Sequence, residues 1–154
     1  MSRPSAPQFN DFSLIIERKL DWSELDALGH TNNARYFTWF EEARMAYCEQ
    51  VGIPTSHGKG WGPILAHTDC HFLVPVTWPS TLLLGAKVSS LGNSSLKMQY
   101  GAFLKPEKDN EEPSCVAFGG GVIVLIAYDT GKKFILTDLL RAAINNHERG
   151  ILGN

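Results

Sequence analysis

The chain has 154 residues and carries 14 Lys and Arg against 16 Asp and Glu, a formal charge of -2, which fits one compact domain and excludes a basic nucleic-acid module or an acidic tail. Hydrophobic residues make up 44% of it and charged residues only 19%; the charged share lies below the roughly 25% of an ordinary soluble domain, so apolar surface is expected to remain for another subunit. A domain of about 150 residues buries some 68–70% of its unfolded surface, so Cys48, Cys70 and Cys115 are not needed as cross-links, and their odd number and wide spacing read as reduced thiols.

Residues 1–9 are small, polar or proline and read as a flexible lead-in without the apolar core of a secretory signal. No later apolar stretch is long enough to span a bilayer, so the expectation is a cytoplasmic protein with one domain over residues 10–150. Order is expected from Phe12, and LIIERKLDW at 14–22 reads as the first strand. Residues 23–33, SELDALGHTNN, mix turn formers with two acids and a histidine. They lead into ARYFTWFEEARMAYCEQVG at 34–52, where Tyr36, Phe37, Phe40, Arg44, Tyr47, Cys48 and Val51 recur at helical spacing. Asn32 or Asn33 can cap this helix, and Gly52 followed by Pro54 can end it. Aromatic residues on more than one of its faces predict a helix enclosed by other elements.

Beyond the glycine-rich loop at 55–63, four β-rich segments follow at 64–74, 81–91, 94–104 and 114–129, and an antiparallel meander is expected to join them. Gly92-Asn93 reads as a short hairpin turn and the charged run 105–113 as a longer one. The VIVLIAY run at 122–128 belongs in a well-covered, central part of the sheet. Gly119, Gly120 and Gly121 before it either permit a bulge or close backbone approach, or merely loosen the strand start. Residues 136–150 read as a terminal helix capped by Thr137 or Asp138. The order predicts an α+β fold in which a curved antiparallel sheet wraps a long central helix.

The densest polar cluster is Asp26, His30, Asn32, Asn33 and Tyr36, just before or inside the start of the long helix. A helix N-terminus presents unpaired N–H groups that can polarise a carbonyl or stabilise an oxyanion, and Asp26 on the approaching loop could activate water or attack an acyl carbon. An ordinary loop aspartate with asparagine caps and a surface histidine fits the same spacing.

The stretch LDWSELDALGHTNNARYFTWFEEAR resembles the signature of hotdog-fold acyl-CoA thioesterases, particularly the 4-hydroxybenzoyl-CoA thioesterase-like family. The resemblance extends over most of the chain, and the later F-L-V-P places Phe72 and Pro75 at the family's aromatic-x-x-Pro strand ending. It implies the hotdog fold and thioester hydrolysis, with Asp26 as nucleophile or general base and the backbone N–H near Asn33 polarising the carbonyl. G-H-x-N-N is also similar to plant acyl-carrier-protein thioesterases, whose active-site acid and histidine correspond to Asp26 and His30, while Leu28 departs from their functional asparagine. In bacterial short-chain acyl-CoA relatives a histidine stands where this chain has Asn33, and His30 could replace it in space. Tyr36 could orient the loop or line the acyl pocket, and a core role suits it equally. Some hotdog thioesterases carry the catalytic acid further along the helix, which keeps Glu41 and Glu42 in view.

His67, Asp69 and His71 alternate on one strand face, a conceivable metal site whose spacing suits an exposed strand or a subunit interface better. Arg141, Arg149 and Lys132-Lys133 could meet coenzyme A phosphates but fit a solvated helix and turn. The resemblance implies no cofactor, coenzyme A being part of substrate and product. Its partners would be an acyl-CoA or another acyl thioester, with acyl carrier protein as an alternative, and no nucleic acid. It also implies a homodimer or dimer-of-dimers tetramer with sites between subunits. A non-catalytic acyl-thioester-binding protein is the remaining alternative.

Overall fold

The computed structural model describes residues 4–149. Five strands, β1 (Leu14–Lys19), β2 (Trp61–Phe72), β3 (Thr81–Leu91), β4 (Ser95–Leu104) and β5 (Ser114–Ala127), form one antiparallel sheet in the order β1-β3-β4-β5-β2. Helix α1 (Asn33–Val51) joins the two edge strands and lies on one sheet face, and α2 (Asp138–Arg149) closes the described chain. This is the hotdog arrangement.

Alternation builds the core. Leu82, Leu84, Ala86 and Val88 of β3, Leu96, Met98, Tyr100 and Ala102 of β4, and Ile123 and Leu125 of β5 are buried at every second position. They meet Tyr36, Trp39, Phe40, Ala43, Tyr47, Cys48 and Val51 of α1 in one cluster, with Phe40 stacked on Tyr100 at 5.2 Å. Each fully buried large side chain contributes roughly 1.5–3 kcal/mol. Asn32 caps α1 by accepting the Ala34 N–H at 3.0 Å, and Gly52, at φ 87°, ends it in the left-handed region that glycine enters without a Cβ clash.

Four expectations need correction. First, the meander covers only β3, β4 and β5; β2 pairs with β5, because the chain crosses to the far edge of the sheet after α1. Second, α1 is covered along one stripe rather than over most of its circumference: Phe37, Thr38 and Glu41 are exposed. Third, the first strand stops at Lys19, and Trp22–Glu24 is a 3-10 turn in which Asp21 and Glu24 cap one another. Fourth, regular structure starts before Phe12 with a 3-10 turn at Phe9–Asp11; Phe9 and Phe12 pack edge-on against Phe103, at 5.4 and 5.7 Å.

The glycine question resolves toward close approach. The pairing irregularities fall in β2 between Leu65 and His67, in β3 between Val88 and Ser90, and in β5 at Val116, none of them at the three glycines, whereas Gly119 lies against the backbone of Asp69 and Cys70. The run at 122–126 occupies an interior strand, with Ile123 and Leu125 buried and Val122, Val124 and Ile126 half-buried on the other face. Thr137 caps α2 by accepting the Leu140 N–H at 3.1 Å. The buried Glu148 of α2 accepts from Tyr47 Oη at 2.5 Å and from Ser13 Oγ and the Val88 N–H at 2.9 Å each, tying α2 to α1 and to the sheet. Among the described residues no helix is long and apolar enough to cross a membrane.

Candidate active site

A loop between the 3-10 turn and α1 carries the predicted acid. Its base is held by an antiparallel bridge between Leu25 and Thr31, and Thr31 is anchored to Val76 by its N–H at 2.9 Å and its hydroxyl at 3.0 Å. Within the loop the Asp26 N–H donates to the His30 carbonyl at 2.7 Å. Asp26 Oδ1 accepts from the N–H groups of Leu28 at 2.8 Å and His30 at 3.2 Å. This Asx turn fixes the carboxylate through one oxygen. Oδ2 has no hydrogen-bond partner among the described residues.

Asp26, His30, Thr31, Asn33 and Tyr36, from the loop and the start of α1, line a cleft of about 430 Å³ together with Phe72, Leu73, Val74 and Pro75, at the end of β2 and just after it. The structure therefore brings the predicted Asp26, His30, Asn33 and Tyr36 together, and adds Phe72 and Pro75. At the helix start Ala34 donates to Asn32 Oδ1 and Arg35 to the Asn32 carbonyl. The Asn32 N–H goes to the Glu24 carbonyl. The Asn33 N–H takes no acceptor among the described residues, and the partial positive charge of the helix N-terminus is concentrated there.

His30 is exposed, and its ring has no partner among the described residues. Tyr36 is buried, 4.5 Å from Trp39 and edge-on to Phe72 at 5.0 Å between ring centroids. Burial pushes its phenol up to about 12, so at neutral pH it keeps its proton and remains a hydrogen-bond donor at the cleft. Burial also raises the thiols of Cys48 and Cys70 to about 12 and Cys115 to about 11. They stay protonated, unsuited to nucleophilic attack.

The other candidates lie elsewhere. Glu42 binds Arg18 Nε through both oxygens, at 2.8 and 3.1 Å, and Glu41 is an exposed acid 3.8 Å from Arg44. His67 Nε2 lies 3.3 Å from Asp69 Oδ2, while His71 stacks on Phe118 at 4.9 Å, so the three donors do not converge. Arg141 donates to the Gly92 carbonyl at 2.7 Å and so braces a hairpin turn. Lys132, Lys133 and Arg149 are exposed and do not line the cleft.

Sequence reasoning passed over Glu24. This acid is 5% exposed and sits beneath the loop, bonded to Arg18 and Trp39. The signal was present in the Asp21-x-x-Glu24 spacing, a capping-box pattern that turns the second acid back toward the chain.

Residues 20–144 match the thioesterase-like superfamily. An uncharacterized protein of Bacillus subtilis strain 168, YsmA, is 30% identical over 127 residues, 82% of this chain and 82% of that one. Among solved structures, the PA5185 protein of Pseudomonas aeruginosa strain PAO1 is similar with a TM-score of 0.79 and 25% identity, over 91% of this chain and 94% of that one. A thioesterase complexed with coenzyme A and Zn, from Thermus thermophilus, gives 0.75 at 24% identity over 90% and 96%, a likeness of fold.

Proposed function

The chain belongs to the thioesterase-like superfamily, and from that premise we propose that it hydrolyses the thioester of an acyl-CoA to a free carboxylic acid and coenzyme A. One observation carries the reading: Asp26 Oδ2, a carboxylate oxygen with no hydrogen-bond partner among the described residues, shares a cleft with the residue that opens α1, whose N–H likewise meets no acceptor among them.

In this reading the thioester oxygen sits at the Asn33 N–H, which polarises the carbonyl and stabilises the oxyanion as it forms. Asp26 acts on the acyl carbon in one of two ways. It takes a proton from a water that attacks the carbon, or it attacks directly, giving an acyl-aspartyl anhydride that water then opens. In both routes the carbon–sulfur bond breaks and the thiolate leaves with the electron pair. A thiol's pKa near 8.5 makes that departure easy without a strong acid. Asn33 serves through its backbone. His30 and the Tyr36 hydroxyl contribute hydrogen bonds to substrate or water at the cleft mouth and wall. Thr31 anchors the loop and Phe72 borders the acyl group.

The edge of the sheet bears on the assembly. The outer side of β2 has no strand beside it among the described residues, with Ile64, Leu65 and Phe72 exposed. An open edge of this length invites pairing with a second copy. Because Phe72 also lines the cleft, a homodimer formed along β2 would border the site with residues of both copies.

The test is release of free thiol from aromatic, short-chain and long-chain acyl-CoAs, with matched acyl-carrier-protein thioesters as the comparison. Asp26→Asn is expected to lower kcat by roughly 100-fold or more, on the scale of removing an essential general base or nucleophile. Equal turnover by wild type and Asp26→Asn would refute the reading. Tight binding of intact thioesters without thiol release would make the protein a binder, and preference for the carrier-bound substrate would reassign its partner.

A further inference from the structure

Two acids stand two residues apart at the start of the site and do opposite things. Asp26 is exposed, while Glu24 is 5% exposed and fully committed to hydrogen bonds. Glu24 Oε1 accepts from Trp39 Nε1 at 3.0 Å. Oε2 accepts from Arg18 Nη1 at 2.7 Å and from the Asp21 N–H at 2.9 Å. Its backbone carbonyl receives the Asn32 N–H at 2.9 Å, and the Leu25–Thr31 bridge follows at once. Arg18 is itself held by Glu42 and lies 5.7 Å over the Trp39 ring.

One residue is thus bonded simultaneously to β1, through Arg18, to the 3-10 turn, through Asp21, and to α1, through Trp39. These are the elements that meet around the Asp26 loop. Burying a carboxylate is costly even when it is paired, and a well-packed apolar group often stabilises as much or more. An apolar contact, however, tolerates sliding. Charge-assisted bonds to a planar guanidinium and to an indole N–H have preferred distances and directions, and so admit a single docking of loop on helix.

We propose that Glu24 is a positioning residue for thioester hydrolysis: it locks the loop that carries Asp26 to the helix whose first residue, Asn33, borders the same cleft. The inference rests on the reading of Asp26 as the reacting carboxylate. Glu24 itself touches no substrate. Its contribution is the spacing between a carboxylate and an oxyanion donor carried by two different segments, a geometry in which a displacement of about 1 Å can cost on the order of 100-fold in rate.

The experiment is a double-mutant cycle between Glu24→Gln and Asp26→Asn, measured by steady-state and single-turnover thiol release from the acyl-CoA that wild type hydrolyses best. In the wild-type background Glu24→Gln is expected to lower kcat by roughly 10- to 100-fold with KM within about threefold. In the Asp26→Asn background the same change is expected to alter the rate by less than about threefold, since no carboxylate remains to be positioned. Trp39→Phe removes the indole donor but keeps an aromatic ring; it is expected to reproduce the pattern at about fivefold, and it decides the matter if Glu24→Gln does not fold. Equal losses in both backgrounds, or undiminished kcat in the folded variants, would overturn the proposal. Undiminished activity of Asp26→Asn alone would instead overturn the reading beneath it, and the positioning role with it.

Discussion

Gly119→Ala is expected to damage the sheet where β5 carries the edge strand, and through it the cleft. Gly119 is paired with Tyr100 of β4 and Cys70 of β2 in the interior of the sheet. A Cβ there would stand 2.9 Å from the Asp69 carbonyl carbon, 3.1 Å from Cys70 Cα, and closer still to the Asp69 carbonyl oxygen. Comfortable carbon contacts lie at about 3.5–4.0 Å, so β2 must retreat by roughly half an ångström to one ångström. All of these atoms are backbone, and no side-chain rotation relieves the clash. Overpacking of this kind costs about 1–3 kcal/mol, and a strained or lost ladder bond about 1 kcal/mol more. The stiffer unfolded chain offsets about 0.4–1 kcal/mol. The net loss of about 2–3 kcal/mol corresponds to a fall in Tm of roughly 4–12 °C for a domain of this size. The disturbance lies three residues from Phe72, which lines the cleft, so kcat/KM should fall as well. Gly120→Ala is the control: its Cβ would meet Met98 O at 3.2 Å and Asp69 Oδ2 at 3.8 Å, contacts that small shifts absorb at about 1 kcal/mol or less. Thermal and urea unfolding followed by circular dichroism measure both. A Gly119→Ala Tm equal to wild type, or equal losses for the two alanines, would refute the steric account.

Two further outcomes follow from the same geometry. Burial alone would push the Glu24 carboxyl up, but the bonds from Arg18, the Asp21 N–H and Trp39 together hold it below its ordinary value. A carboxyl lowered on folding adds stability above its unfolded value, about 4.3, and loses it as pH falls through the folded one; acid unfolding of wild type should therefore be steeper below about pH 4.3 than that of Glu24→Gln, and superimposable stability–pH curves would contradict this. Sedimentation should return a dimer at micromolar concentration, weakened by Leu65→Lys on the exposed part of β2, since a lysine on a strand edge opposes pairing; a stable wild-type monomer would remove the edge-pairing account.

Much of the site could be read from local chemistry. Asn32 caps α1, Gly52 ends it, and Asp26 and His30 of the loop line one cleft with Asn33, which opens the helix, because an Asx turn and a helix cap are made by residues close together in the chain. Phe72 and Pro75 line the same cleft from the end of β2 and just beyond it; the family resemblance marked them only as a strand ending, and spacing could not bring them to the site, since they lie some forty residues further on.

What the sequence determined by itself is the five strands and two helices in their order, and the presence of an aspartate in a turn just ahead of the long helix, since period, caps and turn residues act over a few positions. Only the tertiary structure decided that β2 crosses to the free edge, that α1 is buried along one stripe, and that Glu24 turns inward while Asp26 turns out. Those outcomes depend on contacts between distant segments. An acid reads the same in the sequence whether solvent or an indole and a guanidinium receive it; which of these it meets is settled when β1 and α1 pack together.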